Sequence, residues 1–571
     1  MSTPSRPHPP AGAVAVFPVL TLALLAGPVL AGVAGVVAPA LGWMPVLGGR
    51  ALGLDAFRAL LDWPGLGASV RLTLVTGLSA TAISVVVTIL FVAGWQGTRS
   101  FAAMMRLLAP LLAVPHAAAA FGLAFLIAPS GWIARLASPG LTGWDRPPDW
   151  LTVNDPMGLA LITGLVLKEV PFLFLMTLAA LGQTDSLRAA RLAQTLGYGR
   201  LAGWLKVVLP QVWPQLRLPV LAVLAYSLGV VDMALILGPG LPPTLAVQVL
   251  EWMAHPDLAM RFTAAAGAVV LAALVAAAIG AFWIVERGVA RLGRGWAEGG
   301  GRARVLDPVA RPVGLGLAGL AAGLVLAALA GLLVWSAAGL WRFPEVLPQH
   351  WTGANWTRHM PGLRGAVLVT LGIAAASVTV AVVLVVGCLE AEYRRARPAP
   401  SRALWLLYLP LLVPQVVFLP GLQGFMLRAG LDGGVAAVTV AHVVFVLPYV
   451  YLALADPWRA WDRRMGVAAA ALGAGAGRVL WSVRLPMLLR PVLTAAAVGI
   501  AVSVTQYLPT LLIGAGRVDT LATEAVALAA GANRRVIGVT AVVQMTLPML
   551  GFWLALLVPW VVFRNRRGMA A

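Results

Sequence analysis

The sequence predicts an all-α polytopic membrane protein built from two parallel repeats of about six transmembrane helices each. Three observations predict this fold class: the composition, a series of long apolar segments, and a polar motif that occurs once in each half. Of the 571 residues, 60% are hydrophobic and 11% are charged, and the mean hydropathy is +0.89. A soluble domain of this length could not keep such a composition in water, so the chain belongs in a lipid bilayer.

About twelve segments approach or exceed the roughly 20 residues that a helix needs to cross the hydrocarbon core. Those of the first half lie near 13–40, 72–94, 107–127, 157–181, 216–238 and 262–285. Those of the second half lie near 313–341, 366–389, 404–427, 433–454, 491–513 and 537–563. An even number of spans returns the chain to its starting side, so the halves are parallel repeats. We therefore predict a first repeat at 1–285, a cytoplasmic linker at 286–312 and a second repeat at 313–571.

The net charge of +20 is distributed unevenly along the chain. With the N-terminus assigned to the cytoplasm, the cytoplasmic segments hold 26 Lys and Arg against 8 Asp and Glu. The outer loops hold 12 against 11. This asymmetry predicts a multi-pass protein of the plasma (inner) membrane with both termini in the cytoplasm. It argues against binding of nucleic acid, because no segment outside the bilayer is long enough to form a folded basic domain.

A polar motif occurs twice, 276 residues apart, in arginine-rich loops that follow the fourth span of each half. We call residues 182–213 the first polar loop and residues 455–490 the second polar loop. Each contains a glycine, nine residues, a hydrophobic residue, any residue and Leu-Pro, with a small residue four positions before the glycine. That spacing predicts that the small residue and the glycine share one helical face, suited to docking a partner. The residues concerned are Ala193, Gly197, Leu209, Pro210, Ala468, Ala469, Gly473, Leu485 and Pro486.

These two loops resemble the EAA loops of permeases of ATP-binding-cassette importers. The family pattern is Glu-Ala-Ala, three residues, Gly, nine residues, a hydrophobic residue, any residue and Leu-Pro. The front of the pattern differs here, since Arg191, Leu192 and Ala193 occupy the Glu-Ala-Ala positions of the first loop. The resemblance covers nearly the whole chain and points to fused two-repeat permeases of binding-protein-dependent importers for iron(III), thiamine and related small solutes. Residues 236–247 and 508–522 resemble a fused permease group described as thiamine-transporting.

The resemblance implies two ATPase subunits at the cytoplasmic face and an external solute-binding protein as partners. The chain itself lacks a phosphate-binding loop of the form GxxxxGK[ST], because its lysines, Lys168 and Lys206, both follow a leucine. We therefore predict that it is not an enzyme and binds no cofactor, ATP being used by the partner subunits. No His, Cys and carboxylate residues cluster at ligand spacing in the sequence, so no bound metal is predicted.

Ionisable residues within membrane spans are costly and often mark a transport pathway. Lys168 and Glu169 lie in the fourth span just before Pro171, and Asp232 lies in the fifth. With Tyr507, these residues are our pathway candidates. Asp232 could attract a cationic solute such as thiamine. The alternative interpretation is structural, with Lys168 and Glu169 satisfying backbone groups freed near Pro171 or binding neighbouring helices.

Other interpretations of the whole chain stay open at this point. The polar loops could be amphipathic connectors that lie on lipid headgroups, a role that their arginines would also suit. A secondary transporter with parallel repeats would need no ATPase, and the duplicated loops would then have no explanation. A membrane assembly factor could use the same loops to bind a partner that is not an ATPase.

Overall fold

The computed structural model describes residues 12–396, 400–431, 433–531 and 533–564; their regular elements are all helices, and none of these residues forms a β-strand. The helices of the first half are α1 Val16–Ala40, α2 Asp55–Leu61, α3 Leu66–Trp95, α4 Arg99–Leu111, α5 His116–Ile127, α6 Trp132–Ala137, α7 Leu159–Gly182, α8 Ser186–Thr195, α9 Arg200–Gly203, α10 Leu209–Gly229, α11 Asp232–Leu237, α12 Leu245–Met253 and α13 Met260–Glu298.

The helices of the second half are α14 Asp307–Ala337, α15 Ala354–Arg395, α16 Ser401–Leu412, α17 Gln415–Arg428, α18 Val435–Ala460, α19 Arg463–Ala471, α20 Ala476–Val479, α21 Leu485–Met487, α22 Leu489–Val504, α23 Leu508–Gly514, α24 Leu521–Ala527 and α25 Arg534–Phe563. Within the described residues, ten helices are long and apolar enough to cross a membrane, and two bent pairs raise the number to twelve. The predicted all-α polytopic fold is confirmed.

Four of the predicted spans are each divided into two shorter helices. The span near 107–127 is divided between α4 and α5, and the span near 404–427 is divided between α16 and α17, which meet at 98°. Pro115 and Pro414 stand directly before the second helix of each pair. A proline has no N–H to donate and disfavours helical geometry in the residue before it, so the first helix ends early. The spans near 216–238 and 491–513 are broken between α10 and α11 and between α22 and α23.

The irregular connection between the halves is shorter than the predicted linker at 286–312. Helix α13 continues to Glu298 and α14 begins at Asp307, which leaves 299–306 as the connection. The polar end of α13 therefore extends the helix beyond its apolar part.

The first helix of each half packs against the other half. Helix α1 lies along α17, and α14 lies along α5 and α3. The contacts are close because both involve glycine: a methyl group at Gly421 would overlap the Gly32 carbonyl oxygen, and one at Gly122 would lie 2.8 Å from the Ala328 oxygen. Small residues of this kind let helix backbones approach within a bilayer. The two repeats of the sequence are thus interlocked in space.

The buried core follows from this interlocking. Its largest apolar cluster contains residues of both halves, including Val29 of α1, Phe121 of α5, Phe418 of α17 and Phe445 of α18. Helices α7, α10 and α18 also contribute buried residues to this shared core.

Candidate functional site

The first polar loop begins with a helix that ends in a glycine cap. Helix α8 ends at Thr195, and Gly197 has a φ of +88°, a conformation that strongly favours glycine. The Gly197 N–H donates to the Gln194 carbonyl at 2.9 Å, and the Tyr198 N–H donates to the Ala193 carbonyl at 3.1 Å. These two bonds form a Schellman motif, which satisfies the last carbonyl groups of the helix.

The second polar loop repeats this cap. Gly473 has a φ of +86° and donates to the Ala470 carbonyl at 2.9 Å, while the Ala474 N–H donates to the Ala469 carbonyl at 3.0 Å. The alanine and the glycine are therefore the two ends of a capping motif. The expectation that they share one helical face was wrong, because each glycine lies beyond the end of its helix.

The Leu-Pro pairs also have a local structural explanation. A π-helical turn precedes each pair, at Trp204–Val208 in the first loop and Leu480–Arg484 in the second. Pro210 and Pro486 then stand within the first two positions of the next helix, where a missing N–H leaves no hydrogen bond unmade. The duplicated spacing thus encodes one backbone shape twice: a helix, a glycine cap, a π-helical turn and a helix that begins with Leu-Pro.

The exposed surface of the two loops includes a matched residue that the sequence analysis missed. Leu196 and Leu472 directly precede the capping glycines and are 66% and 89% exposed. Ala193, in contrast, is buried, and Ala469 is partly buried. Large apolar side chains held open at matching positions favour contact with a partner. The Leu-Gly pair, which occurs in both loops at the same spacing, was the signal available in the sequence.

The first polar loop is fixed to the bundle by hydrogen bonds around Gln96, an uncharged residue that follows α3. The Gln96 side-chain oxygen accepts a hydrogen bond from the Trp204 indole N–H at 2.8 Å, and its amide nitrogen donates to the Ser186 hydroxyl at 2.9 Å. The backbone carbonyl of Gln96 accepts from the Arg200 guanidinium. One residue thus joins the start of α8 to the start of α9 and to the π-helical turn.

The second polar loop is fixed by buried charges instead. Arg484 of the π-helical turn pairs with Glu390 of α15, and both side chains are nearly inaccessible to water. Arg394 donates to the same carboxylate at 2.8 Å. The Arg484 guanidinium stacks over the rings of Tyr393 and Trp461, at 3.4 and 4.2 Å from their centroids. Cation–π contact with these rings supports the charge in its buried position.

The two polar loops lie at the same end of the bundle. The Gln183 amide, next to the end of α7, donates to the Asp456 carboxylate of α18 at 3.0 Å. Each of these residues is the second residue of its polar loop, so this hydrogen bond joins the beginnings of the two loops.

A central cavity of about 530 Å³ lies between the two halves. All four pathway candidates, Lys168, Glu169, Asp232 and Tyr507, line it. So do Gln183 and Asp456, which places one end of the cavity beside the polar loops. Gln183 lies fifteen positions after Lys168 along α7, a distance of about 22 Å at 1.5 Å per helical residue. The cavity therefore runs from the interior of the bundle to the end that carries the loops.

The three charged candidates have different surroundings in the cavity. The Lys168 ammonium donates to the carbonyl of Val114, in the break between α4 and α5. Asp232 accepts a hydrogen bond from the backbone N–H of Met233 at 2.9 Å. Glu169 is only 6% exposed, and its carboxylate has no hydrogen bond or ion pair with any other described residue. The structural interpretation thus accounts for Lys168, although at the Pro115 break and not at Pro171, and leaves Glu169 unexplained.

Aromatic side chains form much of the remaining cavity wall. Four tyrosines line it, Tyr226, Tyr408, Tyr449 and Tyr507, and the Tyr226 hydroxyl is hydrogen-bonded to the His116 ring at 2.9 Å. His442, in contrast, lies outside this wall, where both of its ring nitrogens are hydrogen-bonded, to Ser503 and Thr510. His442 thus joins α18 to α22 and α23.

Tyr507 also lines a second pocket, of about 460 Å³, with Leu235 of α11 and Leu511 of α23. It therefore stands between this pocket and the central cavity. Helices α11 and α23 are matched elements of the two repeats, since Asp232 and Leu508, their first residues, are 276 positions apart. The breaks in the fifth and eleventh spans place these two short helices between the two spaces.

Duplicated helical halves, a cavity shared between them and two polar loops of one design at one end define a membrane transport permease. Residues 383–566 match the family described as the inner membrane component of binding-protein-dependent transport systems. The chain is 33% identical over 515 residues to the inner membrane ABC transporter permease protein YnjC of Escherichia coli, covering 90% of this chain and 92% of that one. A shorter match, 32% identical over 170 residues, joins it to the molybdenum transport system permease protein ModB of Mycobacterium tuberculosis, with 28% of this chain and 64% of that one covered. The chain belongs to the permeases of ATP-binding-cassette transporters.

Proposed function

We propose that this chain forms the solute pathway of an ATP-binding-cassette importer and binds two separate ATPase subunits through its two polar loops. The observation that carries the proposal is the shared backbone design of the loops at one end of the bundle, beside a cavity lined by both halves. The excess of Lys and Arg on the side of the loops supports a cytoplasmic position for that end. An external solute-binding protein would then meet the opposite end.

The geometry supports transport by alternating access. The central cavity reaches the end with the polar loops, and Tyr507, with α11 and α23, separates it from the second pocket. In this arrangement the solute path is open toward the ATPase side. ATP-driven approach of the two ATPase subunits would draw the loops together, close the Gln183 and Asp456 end, and part α11 from α23. A rigid helix such as α7 can carry that movement from the loop to the cavity.

Replacement of both exposed leucines tests the docking role. The Leu196→Glu/Leu472→Glu double variant keeps both glycine caps and places charges where an apolar partner surface would dock. We expect the ATPase to dissociate during purification and solute uptake to be lost, because buried unpaired charges weaken an interface strongly. Leu241→Glu, at a 99% exposed position far from the loops, is the matched control. Copurification of an unchanged amount of ATPase with the double variant would refute the docking proposal.

For the solute we propose a small cation, with thiamine favoured over iron(III). Three carboxyl groups, Glu169, Asp232 and Asp456, line the cavity with one amino group, Lys168, and this excess of acidic groups favours a cationic solute. The four tyrosines offer ring faces that bind an organic cation. A cavity that has both an excess of acidic groups and aromatic walls suits thiamine, an organic cation, better than a bare metal ion. The ATPase subunits bound at the polar loops would supply the energy for uptake.

Uptake by variants tests this solute assignment. We expect Glu169→Gln and Asp232→Asn to lower thiamine uptake by reconstituted transporter, with Glu251→Gln, an exposed carboxylate away from the cavity, as the control. Unchanged uptake by variants that reach the membrane would remove the pathway role of these residues. Uptake of iron(III) but not thiamine by the unmodified transporter would overturn the solute while leaving the permease function in place.

A further inference from the structure

The connection between the halves lies directly on the first polar loop. The Gly199 N–H donates to the Arg302 carbonyl at 2.8 Å, and the Arg304 guanidinium donates to the Gly197 carbonyl at 2.7 Å. The Lys206 ammonium donates to the Gly301 carbonyl at 2.8 Å. Three successive parts of the loop, the glycine cap, the start of α9 and the π-helical turn, are therefore each bonded to the connection.

The far end of the connection is held as firmly. The Asp307 carboxylate accepts hydrogen bonds from the backbone N–H groups of Arg200 and Leu201, at 2.6 and 2.9 Å. It thereby caps the start of α9, whose own preceding residue is a glycine without a capping side chain. On the near side, the Lys206 ammonium lies 4.4 Å from the ring centroid of Trp296 in α13. Residues 301–307 are thus firmly attached to the first polar loop.

The second polar loop has no such cover among the described residues. A methyl group built at Gly473 or Gly475 would meet nothing within 4 Å, whereas one at Gly197 would lie 3.2 Å from the guanidinium groups of Arg302 and Arg304. The two loops have one backbone design but different surroundings.

The connection extends the exposed apolar surface of the first loop. Leu196 precedes Gly197, and Val305 follows Arg304, so the Arg304–Gly197 hydrogen bond brings them near each other. Leu196 is 66% exposed and Val305 is 86% exposed. Leu192 of α8 and Leu306 are also more than half exposed. Four exposed apolar residues from two separate segments therefore lie near this hydrogen bond. Apolar surface of this kind, bordered by arginines such as Arg188, is typical of a protein interface.

We propose that residues 301–306 are part of the docking surface for the ATPase subunit that binds the first repeat. This inference rests on the proposed function, and the occupant follows from continuity, because Val305 extends the surface on which Leu196 is exposed. The ATPase on the first repeat then contacts α8 together with the connection, whereas among the described residues the ATPase on the second repeat contacts α19 alone.

Labelling of single cysteines in the assembled transporter tests this inference. Val305→Cys, Leu196→Cys, Leu472→Cys and Leu241→Cys would each be purified in nanodiscs with and without the ATPase subunits and treated with a soluble maleimide. The natural Cys388 is buried and provides a low background. We expect binding of the ATPase to slow labelling at Val305, Leu196 and Leu472 by roughly tenfold or more, since an interface core excludes water, and to leave Leu241 unchanged.

The outcomes separate this inference from the proposed function. Protection at Leu196 and Leu472 without protection at Val305 would overturn the inference and leave the proposed function standing. Protection at none of the three would overturn the docking role of the loops as a whole. Slow labelling at Val305 before the ATPase is added would show that lipid headgroups cover the connection, and this result would also overturn the inference.

Discussion

Replacing Gly421 by alanine should force α1 and α17 apart and destabilise the packing between the two halves. The new methyl group would overlap the carbonyl oxygen of Gly32 in α1 and lie 2.9 Å from the carbonyl carbon of Gly35. Both are backbone atoms of a helix, so neither can rotate away and the helices must move apart. Overpacking of a core typically destabilises by 1–3 kcal/mol, and we expect the upper end here, about 3 kcal/mol. Such a change lowers the ratio of native to unfolded protein by roughly two orders of magnitude.

The same helix offers a matched control. Gly424 lies one helical turn further along α17, and a methyl group there would meet nothing within 4 Å. Heating of the purified variants followed by size-exclusion chromatography would measure the temperature at which each loses its native form. We expect Gly421→Ala to fail at a clearly lower temperature than Gly424→Ala. Equal midpoints for the two variants would refute the close contact between α1 and α17 and, with it, the interlocking of the halves.

Three further predictions address Tyr507 as a gate between the two cavities, the buried Arg484–Glu390 pair and the Asp307 cap of α9. Tyr507→Ala should join the central cavity to the second pocket and raise solute leak without ATP, measured as efflux from loaded vesicles; leak equal to that of Tyr198→Ala would contradict the gate. Arg484→Met should destabilise by less than the roughly 3–5 kcal/mol typical of a buried charge left without a partner, because Glu390 keeps its ion pair with Arg394, while the Glu390→Gln/Arg484→Met double variant should recover part of the loss in a thermal assay; no recovery would contradict a charge-pair explanation. Asp307→Ala should weaken the cap of α9 by about 1 kcal/mol, which predicts roughly fivefold faster hydrogen exchange at the Arg200 and Leu201 amides; unchanged exchange would contradict the capping role.

The long apolar segments predicted the membrane spans because hydropathy is a local property of the chain. The breaks at Pro115 and Pro414 could have been read from the same sequence, since a proline inside an apolar run marks a probable helix boundary. The close contact between Gly32 and Gly421 could not, because it joins residues nearly 400 positions apart with no shared local pattern.

The pathway candidates show the same limit at the level of single side chains. Lys168 and Glu169 are neighbours with opposite charges, and no local sequence pattern distinguishes their roles. Their difference arises from Val114, whose carbonyl group lies in the α4–α5 break and accepts a hydrogen bond from Lys168. Only the position of that break separates a lysine with a structural partner from a glutamate that faces the cavity without one.

The two polar loops illustrate how a duplicated motif and its function can be separated. Ala193, Gly197 and the Leu-Pro pair determine a backbone shape through a cap, a positive φ and a missing N–H, and any of these constraints acts without a partner. The side chains that a partner can touch, Leu196 and Leu472, lie outside that set. Duplication has therefore preserved the shape in both halves, while the means of fixing it has diverged, through Gln96 and Asp307 in one half and through Glu390 and Arg484 in the other. If the loops carry ATPase movement into the bundle, as proposed, each half needs a rigid attachment, and the chemistry of that attachment can differ as long as the shape is kept.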